Sequence, residues 1–314
     1  MSLGVSFGWQ QIAFEPLLAL IRHAEAAGYD AAYVDGDVSV MERRGDGDVL
    51  DGWTATIALL ARTERIAIGS MRLPHHWNAA RLAQALATAD RLFPGRVRVL
   101  TSIGAHDADR RFGLPFRPAA ERIAHLDETL DAVRALWRGE DVTRAGRFVQ
   151  LDRARVRPVP PEGRIPIEVG ARRAALLDVV ARRADRWDVN LPPIARHVEP
   201  AAAALAAACR RAGRAPESIG RTMWLWVRPG RDAAERSVQQ EFRYWNPWHA
   251  GIPEGELPEA IVAGSAEACR ARIGSVRTDF AVDLPVLDLS GTSFDAARQI
   301  LDAMSPGKPS LTRR

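Results

Sequence analysis

The chain has few of the features that would assign it to a disulfide-bonded or membrane class. Its 314 residues include two cysteines, Cys209 and Cys269, both in alanine-rich helical patterns, which predicts buried free thiols in a reducing compartment. No apolar run approaches the roughly 18 residues of a membrane span. Residues 1–7 lack the charged and apolar regions of a signal peptide. We therefore expect a cytoplasmic protein with no membrane partner.

Several catalytic and binding motifs are also missing. There is no His-x-Glu-x-His or paired-cysteine spacing, which predicts no metal site, and no Gly-x-Ser-x-Gly nucleophile turn. The dinucleotide-binding Gly-x-Gly-x-x-Gly pattern does not follow the first predicted strand. The formal charge of +4 is spread over helices that also carry Asp and Glu, so no nucleic-acid partner is expected. A modest positive field still favours anionic ligands such as a phosphorylated cofactor.

What the chain does contain is a repeated alternation of short apolar runs with amphipathic helical patterns. Strands are predicted over 4–7, 31–34, 66–70, 97–101, 165–169, 187–190, 223–227 and 285–289, with a helix after each. Asn78 is placed to cap the third helix. Eight such units in 314 residues predict an α/β fold, a (β/α)8 TIM barrel with ligands at the C-terminal ends of its strands.

The barrel is predicted to form one domain. It spans residues 1–305, with insertions on the strand C-terminal side at about 139–164 and 231–264, and a disordered tail over 306–314. The second insertion contains Phe242-Arg-Tyr-Trp-Asn-Pro-Trp248. Clustered aromatic residues in such a segment favour two interpretations equally, a lid over an apolar substrate or an interface patch.

Polar residues gather where predicted strands end, and in a barrel these ends meet at one mouth. Each of them is also compatible with an ordinary solvated loop. The candidate catalytic residues are His75, His76, Asp37 and His106. The candidate cofactor-binding residues are Asp35, Ser70, Met71, Thr101, Ser102, Gly104, Gly170, Ala171, Arg172 and Arg173.

Two of these groups carry more specific expectations. After strand five, Gly170 allows close backbone approach, and the following helix start with Arg172 and Arg173 suits a phosphate. After strand three, His75 and His76 are adjacent, so on an extended segment they would point apart. One is expected to face the pocket and the other the surface.

Ordered motifs over residues 4 to 290 resemble the bacterial-luciferase-like superfamily of flavin- and deazaflavin-dependent oxidoreductases. The matching segments include Ala24-Glu-Ala-Ala-Gly-Tyr-Asp30, Thr63-Glu-Arg-Ile-Ala-Ile-Gly69, Asp90-Arg-Leu-Phe-Pro-Gly-Arg96, Arg111-Phe-Gly-Leu-Pro-Phe116 and Ile165-Pro-Ile-Glu-Val-Gly170. The resemblance implies a barrel enzyme that holds the cofactor ring at its mouth, with the phosphate near Gly170 to Arg173, and that is a homodimer.

The activity implied is that of a monooxygenase using O2 and reduced FMN from a separate flavin reductase on a small organic substrate. One alternative is a dehydrogenase or reductase that uses coenzyme F-420 (F420) by direct hydride transfer. Another is a non-catalytic flavin-binding protein, because many members carry an imidazole where this chain has Asp35-Gly36-Asp37. Two explanations are open: Asp37, His75, His76 or His106 replaces it, or the reaction needs no protein acid at that place.

Overall fold

The computed structural model describes residues 2–7, 13–34, 49–104 and 107–306, the side chains at 107 and 108 excepted, and these form a barrel of alternating strands and helices. In chain order the elements are β1 (Gly4–Ser6), α1 (Phe14–Ala27), β2 (Ala31–Val34), α2 (Gly52–Arg62), β3 (Ala67–Met71), α3 (Ala79–Leu92), β4 (Val97–Thr101), α4 (Ala119–Trp137), β5 (Val142–Ala145), β6 (Gln150–Ala154), β7 (Ile167–Ala171), α5 (Ala174–Arg183), β8 (Arg186–Val189), α6 (Ala195–Arg211), β9 (Gly220–Pro229), α7 (Arg236–Trp245), α8 (Leu257–Ala260), β10 (Val262–Gly264), α9 (Ala266–Asp279), β11 (Leu284–Asp288) and α10 (Phe294–Ala303).

Eight of the strands close into a cylinder, and the predicted (β/α)8 barrel is confirmed. The order around it is β9, β11, β1, β2, β3, β4, β7 and β8, and pairing of β8 with β9 completes the ring. Every pairing in the ring is parallel. The C-terminal ends of these strands therefore face one mouth, where residues distant in sequence meet.

Local sequence accounts for most element positions. Strands β7 and β11 are buried along their whole length, as expected for parallel strands covered by helices. The Asn78 side chain accepts hydrogen bonds from the backbone N–H groups of Ala80 and Arg81, which caps α3 as predicted. Strand β9 extends beyond the predicted 223–227 at both ends, because its first residues pair with β8 and its last residues pair with β10.

Inside the barrel, below the mouth, lies a layer of charged side chains centred on Glu168. Its carboxylate accepts hydrogen bonds from Tyr33 Oη at 2.7 Å, Arg98 Nε at 2.8 Å and Thr222 Oγ1 at 2.6 Å. Arg186 Nε lies 3.8 Å from the same group. Glu168 has no exposed surface, so two cations and two hydroxyls compensate a fully buried anion.

The two insertions differ in position. Residues 231–264 follow β9 at the mouth, as predicted, and contain α7, α8 and β10. Residues 139–164 instead join α4 to β7, so this insertion starts from the N-terminal side of the strands. It holds the antiparallel hairpin β5–β6, which packs along α4 with Val149 against Ala132. The prediction that both insertions lie on the C-terminal side is thus corrected for this one.

The remaining expectations concern the cysteines, the membrane and the tail. Cys209 and Cys269 are buried and free, as predicted. Among the described residues no helix is both long and apolar enough to cross a bilayer. Residues 307–314, which make up most of the predicted disordered tail, lie outside the described part of the chain.

Candidate functional site

A cavity of about 690 Å³ opens at the C-terminal ends of the barrel strands. It is bounded by the ends of β3, β4, β7, β8 and β9, by the start of α5 and by the 231–264 insertion. A cavity of this volume holds a flat ring system together with a small second molecule. Its position is the one that the alternation of strands and helices predicts.

Most of the predicted cofactor-binding residues line this cavity. They are Met71, Ser102, Gly104, Gly170, Ala171, Arg172 and Arg173.

The other predicted site residues do not line it or cannot be placed. Ser70 bonds Thr56 Oγ1 in the layer between β3 and α2, and Thr101 Oγ1 donates to the Arg72 carbonyl oxygen. Both side chains alternate away from the barrel interior, which corrects their assignment. Asp35, Asp37 and His106 lie outside the described residues.

The rim beside β7 has the composition expected of an anion site. Helix α5 begins there, and no described side chain caps its first turn, so its N–H groups and its positive dipole end face the rim. Arg172 Nη1 donates to the Trp248 carbonyl oxygen at 2.7 Å, and Arg173 stands next to it. Burial and the neighbouring charge of Arg173 lower the pKa of Arg172.

Gly170 sits where this rim meets the floor of the cavity. A Cβ atom at this position would lie 3.0 Å from Asp188 Oδ2, with Ser102 Cβ in ordinary contact at 3.7 Å. Ser102 Oγ donates to the Gly170 carbonyl oxygen at 2.9 Å, which fixes the backbone here. Glycine at this position therefore leaves the Asp188 carboxyl in place, whereas a larger residue would push against it.

His75 and His76 do not point apart, and this prediction is wrong. Their segment forms a 3-10 turn rather than an extended strand, so both rings turn to the same side. Both Nε2 atoms contact Asp109 Oδ2, at 2.6 Å for His75 and 3.2 Å for His76. Neither residue lines the cavity. The His75 ring instead packs against Gly104, and Gly104 lines the cavity.

The three side chains of this cluster are nearly buried, and their ligand atoms lie within 4.8 Å of one another. Such spacing would also suit a metal ion. In the structure the cluster joins the turn after β3 to the loop after β4, and the absence of a resident metal stays a prediction.

The floor of the cavity carries two polar groups that the sequence interpretation missed. Asp188, on β8, is 7% exposed, and its Oδ1 has no partner among the described residues. Trp224 Nε1, on β9, is also buried and lacks a hydrogen-bond partner there. Both line the cavity. Buried polar atoms are normally satisfied, so a ligand is the expected partner of this pair.

Burial, reinforced by the negative charge of Glu168, raises the pKa of Asp188 to about 8. The carboxyl is therefore protonated at neutral pH. The sequence contains a signal for this residue, because Trp187-Asp-Val-Asn190 places an acid within a predicted buried strand. An uncompensated charge is costly there.

One wall of the cavity is apolar and aromatic. Trp226, Phe242, Trp248 and Leu191 contribute to it, together with Pro192. Whether the aromatic segment of the insertion acts as a lid or as an interface patch stays a prediction. Phe242 and Trp248 face the cavity as a lid would, while the Tyr244 side chain is 59% exposed.

His249 belongs to this same wall and stacks on the Phe242 ring. Burial, with the positive charge of Arg172, lowers the pKa of His249 to about 3. Its imidazole is neutral over the physiological range, so it can donate or accept a hydrogen bond but carries no exchangeable charge.

Comparison with known proteins agrees with this architecture. The family model described as luciferase-like monooxygenase matches residues 1–307. The chain belongs to this family. Relatives are named dehydrogenases and monooxygenases, and the chain is an oxidoreductase.

Curated relatives in this family share a common description. The chain is 27% identical over 255 residues, 79% of this chain and 74% of that protein, to the F420-dependent glucose-6-phosphate dehydrogenase of Nocardia farcinica. It is 32% identical over 177 residues, 54% of this chain and 52% of that protein, to the F420-dependent glucose-6-phosphate dehydrogenase of Mycobacterium leprae.

Solved structures share the fold at lower identity. An F420-dependent secondary alcohol dehydrogenase in complex with an F420-acetone adduct matches with a TM-score of 0.79 and 18% identity, over 96% of this chain and 98% of that one. The monooxygenase RslO1 from Streptomyces bottropensis matches with a TM-score of 0.79 and 21% identity, over 98% of each chain. At these identities the likeness concerns the fold.

Proposed function

We propose that the protein is an F420-dependent oxidoreductase that moves a hydride between the deazaflavin and a small organic substrate. The observation that carries this proposal is the match over about three quarters of both chains to proteins named F420-dependent glucose-6-phosphate dehydrogenase. The alternative among the sequence interpretations is thereby favoured over the FMN-dependent monooxygenase.

The cavity fits a phosphorylated cofactor ring. Its floor offers an unpartnered carboxyl oxygen and an indole N–H to ring heteroatoms, and Gly170 permits close approach. Arg172, Arg173 and the start of α5 would hold the phosphate. The bound cofactor would supply a carbon that accepts or donates hydride, and the protein would exclude water and orient the substrate.

Substrate choice would follow from the apolar and aromatic wall of the cavity. That wall presents tryptophan, phenylalanine, leucine and proline side chains and a neutral imidazole. If Arg172 and Arg173 hold the cofactor phosphate, Arg122 is the one cation left among the described lining residues, and it is engaged with the Ile103 carbonyl oxygen. We therefore propose a weakly polar, uncharged substrate rather than a sugar phosphate.

Titration of the purified protein with F420, FMN and their reduced forms tests the proposal. We expect F420 to bind with a dissociation constant in the micromolar range or below, detected as quenching or a shift of its fluorescence. FMN should bind at least tenfold more weakly. Preferential binding of reduced FMN with O2 consumption would instead favour the monooxygenase. The monooxygenase alternative is supported by the family model, described as luciferase-like monooxygenase, and by structural neighbours such as RslO1.

A protein that bound either cofactor but transferred no electrons would match the non-catalytic alternative. Single-turnover bleaching or recovery of F420 absorbance distinguishes this result. The homodimer, and a partner reductase in the FMN case, remain parts of the proposal and are tested by light scattering and by coupled assays.

A further inference from the structure

The described side chains that line the cavity differ in whether they can release a proton. Its titratable members are Asp188, His249, Arg122, Arg172 and Arg173. Arginine keeps its proton under all physiological conditions. Because the pKa of His249 is lowered to about 3, its ring has no additional proton to give at neutral pH. Asp188 is thus the described cavity-lining residue that can deliver a proton near neutrality.

The surroundings of Asp188 explain its state. It lies on β8 between Gly170 of β7 and Thr222 of β9, with which it pairs in register. The charged group that acts on it is Glu168, one layer deeper. No described cation bonds Asp188 itself.

The neighbouring cations are already engaged with Glu168. Arg98, from β4, donates to its carboxylate at 2.8 Å, and Arg186, from β8, lies 3.8 Å from it. Tyr33, from β2, donates its hydroxyl to the same group. β9 contributes the uncharged Thr222 and Trp224 on this side. The cations named here thus all lie at Glu168, and Asp188, one layer closer to the mouth, has no counter-ion. A buried carboxyl without a counter-ion favours its neutral form.

We propose that Asp188 is the proton donor of a reductive reaction, in which a carbonyl compound or a conjugated alkene takes a hydride from the reduced deazaflavin and a proton from this carboxyl. This inference rests on the proposed function. It names both the catalytic acid, which replaces the imidazole missing after β2, and the substrate class.

The reaction balances as follows for a ketone. The reduced deazaflavin supplies two electrons and a hydrogen nucleus to the carbonyl carbon, where a C–H bond forms. The C–O π bond breaks, and its electron pair becomes an O–H bond with the Asp188 proton. Asp188 would be left as a carboxylate, and the ring would release its remaining N–H proton to solvent as it becomes oxidised, while solvent returns one proton to Asp188. For a conjugated alkene the hydride adds to the β-carbon and the proton goes to the α-carbon or the oxygen.

The environment favours this direction. A protonated acid is ready to give its proton at pH 7, whereas alcohol oxidation would need the carboxylate. The apolar aromatic wall disfavours a standing negative charge at Asp188, so the carboxylate formed in the reaction regains a proton readily. Carbonyl compounds and enones are uncharged and suit the same wall.

The first test measures the protonation state of Asp188 in the absence of cofactor. Infrared difference spectra of the unliganded wild type and Asp188→Asn at pH 7 should show a carboxylic-acid carbonyl band in the wild type that the variant lacks. The band should disappear on titration to pH values above about 8. Asp152→Asn, which removes an exposed hairpin carboxyl, should leave the band in place. Absence of the band at pH 7 overturns the proposal even where the variant fails to fold.

The second test follows the reaction. Wild type, Asp188→Asn and Asp152→Asn are loaded with reduced F420 and mixed anaerobically with cyclohexanone or cyclohexenone as probes. We expect oxidation of the cofactor by at least one probe in the wild type and in Asp152→Asn, and a loss of about 100-fold or more in Asp188→Asn. The rates are compared at F420 concentrations that saturate each protein, so that a change in F420 affinity does not enter the comparison.

The outcomes separate the two proposals. Failure of the wild type to bind F420 overturns the proposed function and this inference with it. Binding of F420 with an unchanged rate in Asp188→Asn overturns the inference alone. Binding without oxidation by either probe, in a wild type that oxidises alcohols with F420, overturns the assigned direction and substrate class.

Discussion

Two buried carboxyl groups one layer apart in the barrel differ in their neighbours. Glu168 accepts hydrogen bonds from Tyr33, Arg98 and Thr222, while Asp188 has an oxygen with no described partner. Burial alone penalises both anions, but only Glu168 is compensated. The difference between a structural and a reactive carboxyl therefore lies in the surrounding residues rather than in depth.

Asp188 should leave a mark on the pH dependence of stability. The unfolded carboxyl loses its proton near the ordinary pKa of 3.8, and the folded one near about 8. Between these values the folded state holds one more proton, so its unfolding free energy falls as pH rises. We expect Asp188→Asn to remove this decline, on the order of a few kcal/mol between pH 4 and 8.

Urea unfolding at a series of pH values measures this effect. The Asp152→Asn variant serves as the control and should keep the slope of the wild type, because its carboxyl is exposed on the hairpin. Parallel curves for wild type and Asp188→Asn would show that Asp188 is already ionised in the folded protein.

At the scale of elements, the start of α5 combines two tasks. Both Arg172 and Arg173 can contact an anion, and Arg172 also donates to the Trp248 carbonyl oxygen of the insertion. Replacing both by alanine should raise the cofactor dissociation constant at least tenfold, since a charge-assisted hydrogen bond contributes about 1.5–3 kcal/mol. Arg172→Ala should in addition weaken substrate binding, because the insertion loses a contact.

Equilibrium fluorescence titration with F420 measures the first effect. The double replacement of Arg210 and Arg211 by alanine is a matched control, since it removes the same charge from the end of α6, away from the cavity. Equal affinities in the two double variants would mean that the arginines after β7 contribute only general charge.

The cluster of His75, His76 and Asp109 joins two mouth loops and supports Gly104 from behind. Asp109→Asn should destabilise the protein by about 1–3 kcal/mol, because two buried imidazoles lose their anionic acceptor. It should also weaken cofactor binding by shifting Gly104. Thermal unfolding and F420 titration check these effects, with the exposed Asp141→Asn as control. If Asp109→Asn kept its stability and its F420 affinity but reacted more slowly, the cluster would be assigned to catalysis.

The sequence allowed the barrel and much of the rim to be predicted, and the reasons are local. The apolar patterns place β3 within one residue and β7 within two, and residues at or directly after a strand end reach the mouth. The orientation of His75 and His76 could not be predicted, because it depends on a 3-10 turn and on Asp109, 33 residues away from His76. The reactivity of Asp188 depends on Glu168, which its own neighbours in sequence do not indicate.

In the whole molecule, the barrel and the insertion have separate apolar cores. The insertion packs Val238, Phe242, Ile252 and Leu257 against Trp226, apart from the main core. We expect backbone amides of 236–261 to exchange with deuterium faster than those of β3, β4 and β7, and to slow at least fivefold when cofactor and substrate are bound. Hydrogen exchange with mass spectrometry measures this.

The hairpin β5–β6 provides the internal comparison for that experiment. It is also an insertion, but it packs on α4 outside the mouth, so its exchange should be the same with and without ligand. Slowing of both segments alike would indicate general stabilisation by ligand rather than ordering of the insertion.

The insertion leaves and rejoins the barrel at neighbouring points. Gly230 donates its N–H to the Gly264 carbonyl oxygen at 2.7 Å, and Gly264 donates to that of Arg231 at 2.8 Å. Strand β10 then runs beside the end of β9. A segment whose two ends already touch can be shortened, lengthened or exchanged at small entropic cost to the rest. Descendants of such a barrel can thus diversify their substrates by loop replacement while the cofactor site stays unchanged.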